Sequence, residues 1–223
     1  MNNLPSIRQT ILQKPVRGIY PEEIIKIKTG IDIWVEESKK LKTSKNTEFI
    51  SYRDKLLIDF LYHTGIRISD VVGRPYTKYR KDGTIIFPWE GIKFSDINWQ
   101  KGILRFVIHK RSRKNLFIHE IVLDKSMLYD LMQYKQRYTF EDNDIMFKMT
   151  LQNFDKSLKK YSKYVGMEYL SAHKYRHGMA IKDLEEEKPD FLTAFRLGHS
   201  SVDVTNSTYR RMNTDYERKM RGY

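Results

Sequence analysis

Residues 170–209 read LSAHKYRHGMAIKDLEEEKPDFLTAFRLGHSSVDVTNSTY, and the rest of the chain is best read outward from them. His173, Arg176 and His177 stand in one cluster, followed by Leu197-Gly198-His199 and then by Tyr209. On a helix, residues three and four apart share a face, so His173 and Arg176 can converge on one small target. His199 follows a glycine, which suits the start or end of an element. Tyr209 comes ten residues later among basic neighbours. Proton donors, a fixed cation and a phenol able to act as nucleophile are the ingredients of covalent phosphoryl transfer.

Composition narrows the partner. The chain has 223 residues, 41 Lys plus Arg against 28 Asp plus Glu, and a formal charge of +13. That length serves one large domain, or a domain with an appendage, and 40% hydrophobic residues are enough for a packed core. So basic a balance selects a polyanion, either nucleic acid or an anionic membrane. No apolar run approaches a spanning helix and no signal or lipidation motif opens the chain, so no membrane is expected and nucleic acid is. Cysteine is absent, which removes disulfides, a thiol nucleophile and a zinc ribbon and agrees with a cytoplasmic location, at nucleoid or host-cell DNA.

Toward the N-terminus, residues 1–18 carry two prolines and three basic side chains and read as an arm or linker. Pro21-Glu22-Glu23 opens a helix, with proline early and carboxylates in the first turn, and Ile24, Ile25, Ile27 and Ile31 give it an apolar face. The Lys-rich patch Ser38–Asn46 reads as a loop. Tyr52, Leu56, Leu57, Phe60 and Leu61 recur at helical spacing, and Gly65 ends that helix. Residues 73–93 form an irregular excursion with a small hairpin near Asp82-Gly83. Two strands, Ile103–His109 and Leu116–Leu123, flank a basic turn, Lys110-Arg111-Ser112-Arg113-Lys114-Asn115. From Lys125 onward the periodicity is mostly helical.

Three motifs now carry a resemblance. Thr64-Gly65-Ile66-Arg67-Ile68-Ser69-Asp70 resembles the first box of the tyrosine recombinase (phage integrase) family, TGxRxSE. His173-Lys174-Tyr175-Arg176-His177 is similar to the second, HxLRH, and Leu197-Gly198-His199-Ser200 with Tyr209 is similar to the third. They stand in the family's order with a basic hairpin between the first two. The resemblance implies an α+β fold, mainly α-helical, with a small antiparallel β-sheet at one edge, over residues 19–223. On this reading residues 1–18 are only an arm or linker, and the family's usual N-terminal DNA-clamping domain is expected to be absent from the sequence.

It also implies site-specific breakage and rejoining of double-stranded DNA, without metal or other cofactor, in a homotetramer that can recruit accessory DNA-binding proteins. Tyr209 would attack the phosphate and leave a 3′-phosphotyrosyl bond. Arg67 and Arg176 would hold the non-bridging oxygens with planar, permanently charged forks. His199 would donate a further hydrogen bond there and His173 would handle the tyrosine proton. A hairpin lysine, Lys110 with Lys114 as the alternative, would protonate the leaving 5′-oxygen. Asp70 and His177 would support from behind, and Arg111, Arg113, Lys114 and Lys174 would contact DNA.

Each residue has a plainer reading. Arg67 could merely neutralise helix-end carbonyls, and Tyr209 is one of 15 tyrosines. His173 and His177 have a metal-binding spacing, but the residues between them are Lys, Tyr and Arg, which makes a cationic surround unsuited to a cation. The turn's cations could serve only as phosphate contacts. The link from His199 to Tyr209 is one residue longer than the common pattern, and the 73–93 excursion is longer than usual. Rival classes are a non-catalytic or clamp-dependent DNA-binding protein of the same fold, and a basic RNA-binding module, for which no aromatic RNA-binding signature is present.

Overall fold

The computed structural model describes residues 17–42, 46–79, 81, 83, 85–109, 117–199 and 201–209. Helix α1 (Pro21–Leu41) starts where proline and two carboxylates favour it, and Glu23 accepts the Tyr20 backbone N–H at 3.0 Å. Its buried face is Ile24, Ile27, Ile31 and Trp34, spaced three and four apart. Ile25, expected on that face, falls between those positions and is 65% exposed. The Lys-rich patch is not all loop: α1 continues through Ser38 to Leu41, because Ser38 is buried and Lys39 and Lys40 sit favourably at the negative end of the helix dipole.

Helix α2 (Thr47–Thr64) buries Leu56, Leu57, Ile58, Phe60 and Leu61. Its buried Asp54 accepts from Arg53 and from the Tyr161 hydroxyl (2.7 Å), which locks α2 to helix α5 (Leu151–Tyr164). Gly65 ends α2 with φ +66°, a left-handed conformation that costs a side-chain-bearing residue about 1–2 kcal/mol. Its N–H donates to the Leu61 carbonyl at 2.9 Å. The short helix α3 (Ile68–Val72) follows, with Arg67 at its N-terminal boundary.

The excursion is more ordered than its composition indicates. Strand β1 (Gly73–Arg74) pairs with β4 (Trp89–Glu90), and β2 (Lys78–Tyr79) pairs with β3 (Ile85–Ile86), the hairpin expected near Asp82-Gly83. The main sheet has order β5-β6-β7: β5 (Ile97–Asn98), β6 (Ile103–Ile108) and β7 (Phe117–Val122), all antiparallel. Leu104, Phe106 and Ile108 alternate inward, while Arg105 faces Glu120 across the ladder at 3.1 Å. The two-residue β5 is too short to leave a periodic signal and was not foreseen.

The C-terminal half is helical, with α4 (Lys125–Arg137), α5, α6 (Ala172–Glu185), α7 (Asp190–Arg196) and α8 (Val202–Tyr209). Asp124 and Thr150 cap α4 and α5 through the N–H groups of Met127 and Asn153. α1 packs on α2 and α5, α2 on α6, and α7 on α8, around a core rich in aromatics such as Phe60, Phe94, Tyr134, Phe147 and Tyr161. Gly18, at the end of the expected arm, is buried against α6, where an added Cβ would lie 2.7 Å from the Gly178 nitrogen. Among the described residues no helix is long and apolar enough to cross a membrane.

Candidate active site

Three segments far apart in sequence meet at Arg176. Its side chain, 4% exposed, leaves α6 between the ends of α2 and α7. Nη1 donates to the Gly65 carbonyl at 2.6 Å and Nη2 to the Leu197 carbonyl at 2.5 Å. Those two residues lie two positions before Arg67 and His199. One guanidinium therefore gathers the three motifs.

Arg67 lies at the mouth of α3, with Nη1 3.9 Å from the carboxylate of buried Asp70. That makes Arg67 the arginine beside Asp70. His199 follows Gly198, whose φ is +58° and whose missing side chain makes room for Ile108 at the end of β6, since a Cβ would lie 2.4 Å from Ile108 Cδ1. The His199 backbone N–H donates to the Ala194 carbonyl (2.9 Å), and Nδ1 lies 2.8 Å from Oγ1 of Thr205, a fully buried hydroxyl on α8. Tyr209 ends α8 one turn beyond Thr205.

His173 is exposed in the first turn of α6, its ring edge-on to His177 at 4.5 Å between centroids. Burial, reinforced by His173, Lys174, Arg176 and His199, pushes the His177 imidazole down to about 4, so it is neutral at neutral pH. Lys174 is half-buried, and its carbonyl accepts the Ile19 N–H at 3.1 Å. Lys110, Arg111, Arg113 and Lys114 lie outside the described residues. Among the described residues no group of three or more His, Asp or Glu side chains could hold a metal ion.

Two features had no signal in the sequence. Trp89 of the excursion donates its indole N–H to the Ser69 carbonyl in α3 (3.0 Å) and stacks on His109 at 4.6 Å and 12°, with the Arg74 guanidinium 5.1 Å from its ring. The excursion thus joins the first motif to the end of β6. The second is an acid–base knot behind the site. Arg196 Nη1 reaches both carboxylate oxygens of buried Asp183 at 2.6 and 2.7 Å, and Nη2 donates to the His63 carbonyl. Lys188 adds a third bond to Asp183 at 2.8 Å.

This arrangement agrees with the comparisons. The family model described as "Phage integrase family" matches residues 89–215, more than half of the chain, including His173, Arg176, His199 and Tyr209. The chain belongs to the phage integrase family. It is 30% identical to tyrosine recombinase XerD of Proteus mirabilis over 171 residues, 71% of this chain and 47% of the relative. It spans about half the length of the curated relatives it matches. Among solved structures, XerA recombinase superposes with a TM-score of 0.58 at 18% identity, covering 92% of this chain and 66% of the other. The Tn1549 transposon integrase in complex with transposon right end DNA superposes with a TM-score of 0.54 at 16% identity, covering 88% and 62%. The fold is that of the tyrosine recombinase catalytic domain.

Proposed function

We propose that residues 19–223 form the catalytic domain of a tyrosine recombinase that breaks and rejoins duplex DNA at specific sites through Tyr209. The observation that carries this reading is the Arg176 fork, which draws the first and third motifs onto the second. The DNA in the Tn1549 integrase complex supports DNA as the partner.

In the proposed reaction the Tyr209 oxygen attacks the scissile phosphorus, His173 takes up the phenolic proton, and the bond to the 5′-oxygen breaks. A 3′-phosphotyrosyl linkage and a 5′-hydroxyl result, the hydroxyl proton coming from Lys110, or from Lys114. Arg67 and Arg176 neutralise charge developing on the non-bridging oxygens, with Asp70 orienting Arg67. When the Thr205 hydroxyl donates to Nδ1 of His199, Nε2 carries the ring proton and becomes a donor to the same oxygens. Neutral His177 supports this face without adding charge. Arg111, Arg113, Lys114 and Lys174 hold flanking phosphates. No step needs a metal, so cleavage persists in EDTA. Strand exchange between two sites calls for a homotetramer on DNA, with accessory proteins at some sites.

The test is covalent trapping on nicked duplexes, followed by tryptic mass spectrometry. Cleavage after Arg196 and Arg210 releases a peptide whose single tyrosine is Tyr209. A nucleotide adduct there, lost in Tyr209→Phe with duplex binding retained, is the expected result. Equal trapping by Tyr209→Phe would remove Tyr209 from the mechanism. Binding without any adduct would favour the non-catalytic or clamp-dependent reading.

A further inference from the structure

A basic residue next to the third motif of a DNA-binding protein is ordinarily read as a phosphate contact, and Arg196, although its side chain is only 20% exposed, invites that reading. The geometry points to a different role, which rests on the proposed function: we infer that Arg196, held by Asp183, is a positioning residue that sets the height of Leu197–His199 against the end of α2 and thereby fixes the Arg176 fork.

The ends of α2 and α7 are joined twice. On one side Arg176 spans the Gly65 and Leu197 carbonyls. On the other, Arg196 spans the His63 carbonyl and the Asp183 carboxylate. His63 is two residues before Gly65, and Arg196 is the residue before Leu197. The two arginines therefore tie together the same three segments, α6 and the ends of α2 and α7, Arg176 reaching out from α6 and Arg196 from α7. Asp183 and Arg176 both belong to α6, seven residues apart, two turns along one face. The α6 helix thus supplies a direct fork at one level and an anchor for a second fork at the other.

The chemistry of the knot is that of a built clamp. Asp183 is 1% exposed and accepts from Arg196, from Lys188 at 2.8 Å and from the Thr193 hydroxyl at 3.5 Å, the last on α7 itself. A buried carboxylate so engaged holds its partners in one geometry, and a planar guanidinium with Nη1 on the carboxylate and Nη2 on a carbonyl has little freedom to turn toward DNA. Arg196 Nη2 is committed to the His63 carbonyl, one of the terminal α2 carbonyls that have no partner within the helix. If this clamp loosens, the α7 end can slide against α2, and the Leu197 carbonyl moves relative to the guanidinium it holds. Arg176 and His199 then meet the phosphate from the wrong distance, although neither has been altered.

Substrate chemistry separates this from mere loss of folded protein. Replacing one non-bridging oxygen by methyl gives a neutral methylphosphonate, on which the need for cationic neutralisation by Arg176 is relaxed. Cleavage rates of Arg196→Ala, Arg196→Lys, Asp183→Asn and Arg176→Ala would be compared on phosphodiester and methylphosphonate duplexes of one sequence. Arg196→Ala is expected to slow phosphodiester cleavage about ten- to hundredfold, the scale of an active-site displacement near 1 Å, and to approach the wild-type rate on methylphosphonate. Arg196→Lys keeps the charge but not the fork and should fall between them. The double variant Arg196→Ala/Arg176→Ala should be no slower than Arg176→Ala alone, because both act through one group.

Equal slowing of Arg196→Ala on both linkages would overturn the proposal, as would no slowing on either. A weakened duplex affinity with a salt slope reduced by about one would also overturn it, since that marks Arg196 as a phosphate contact. If Arg196→Ala fails to fold, Arg196→Lys and Asp183→Asn carry the same comparison. Failure of the parent reading is distinct: wild-type protein would then form no covalent complex on either linkage.

Discussion

Replacing Arg176 by alanine should cost stability as well as activity, which separates it from a group that only touches substrate. Two charge-assisted hydrogen bonds, to the Gly65 and Leu197 carbonyls, would be lost. At about 1.5–3 kcal/mol each they amount to about 3–6 kcal/mol. Part is recovered because a buried guanidinium no longer has to be kept out of water, which costs several kcal/mol before compensation. A net loss of about 2–4 kcal/mol remains, a large share of the roughly 5–15 kcal/mol that holds a domain together. The assay is urea denaturation followed by circular dichroism, with the midpoint falling and the slope unchanged. Arg176→Lys, which can reach one carbonyl at a time, should recover part of the midpoint. If Arg176→Ala unfolds at the wild-type midpoint, the fork holds nothing together and its central place in the site is refuted.

Arg67→Ala should lose cleavage by about a hundredfold or more, the scale of lost transition-state charge stabilisation, and unchanged covalent trapping would deny the arginine beside Asp70 its part in the site. Gly198→Ala forces a side chain into a φ of +58° and onto Ile108, so a loss of about 2–4 kcal/mol is expected, read as a lower thermal midpoint. Thr205→Val, nearly equal in shape, removes the hydroxyl from His199 Nδ1 and should slow covalent trapping more than it weakens duplex binding; the reverse pattern would deny Thr205 its part in orienting the imidazole. The His177 imidazole is depressed from the usual 6.5 to about 4, so its folded state refuses a proton that the unfolded chain accepts. Its contribution to stability is complete above pH 6.5 and is lost as pH falls from 6.5 through 4. His177→Gln should shrink the difference in urea midpoint between pH 7 and pH 5, and an undiminished difference would refute the assignment.

Much of the framework was legible because its signals are local. Gly65 announced the end of α2, and it does adopt the left-handed conformation. The paired strands flanking the basic turn were visible as short runs rich in β-branched and aromatic residues, and their ladder runs from Ile103↔Val122 to Ile108↔Phe117. Arg67, Arg176 and His199 came to notice through the resemblance of three motifs to the family's boxes, and the structure brings those motifs together at the Arg176 fork. What stayed hidden depends on contacts between distant segments. Neither the Arg176 fork nor the grip of Arg196 on Asp183 and His63 leaves a trace in hydropathy, because the acceptors are backbone carbonyls common to every residue. Trp89 sits in a stretch of Pro, Gly and aromatics that reads as irregular, and only its contacts with Ser69 and His109 reveal that the excursion braces the site. The patch at Ser38 was misjudged because lysines at a helix terminus look the same in composition as lysines in a loop.

The Arg176 fork also bears on when the site comes into being during folding. Gly65 and Arg176 are 111 residues apart, and Leu197 lies 21 further on. Contacts of such separation close only after long loops have been ordered, so they belong to the late, cooperative part of assembly. A chain still missing its last third lacks both Arg176 and Leu197 and cannot bring these carbonyls to one guanidinium. The gathering of the three motifs is thereby made simultaneous with completion of the fold. Amide exchange at the α2 and α7 ends should then report global unfolding rather than local fraying.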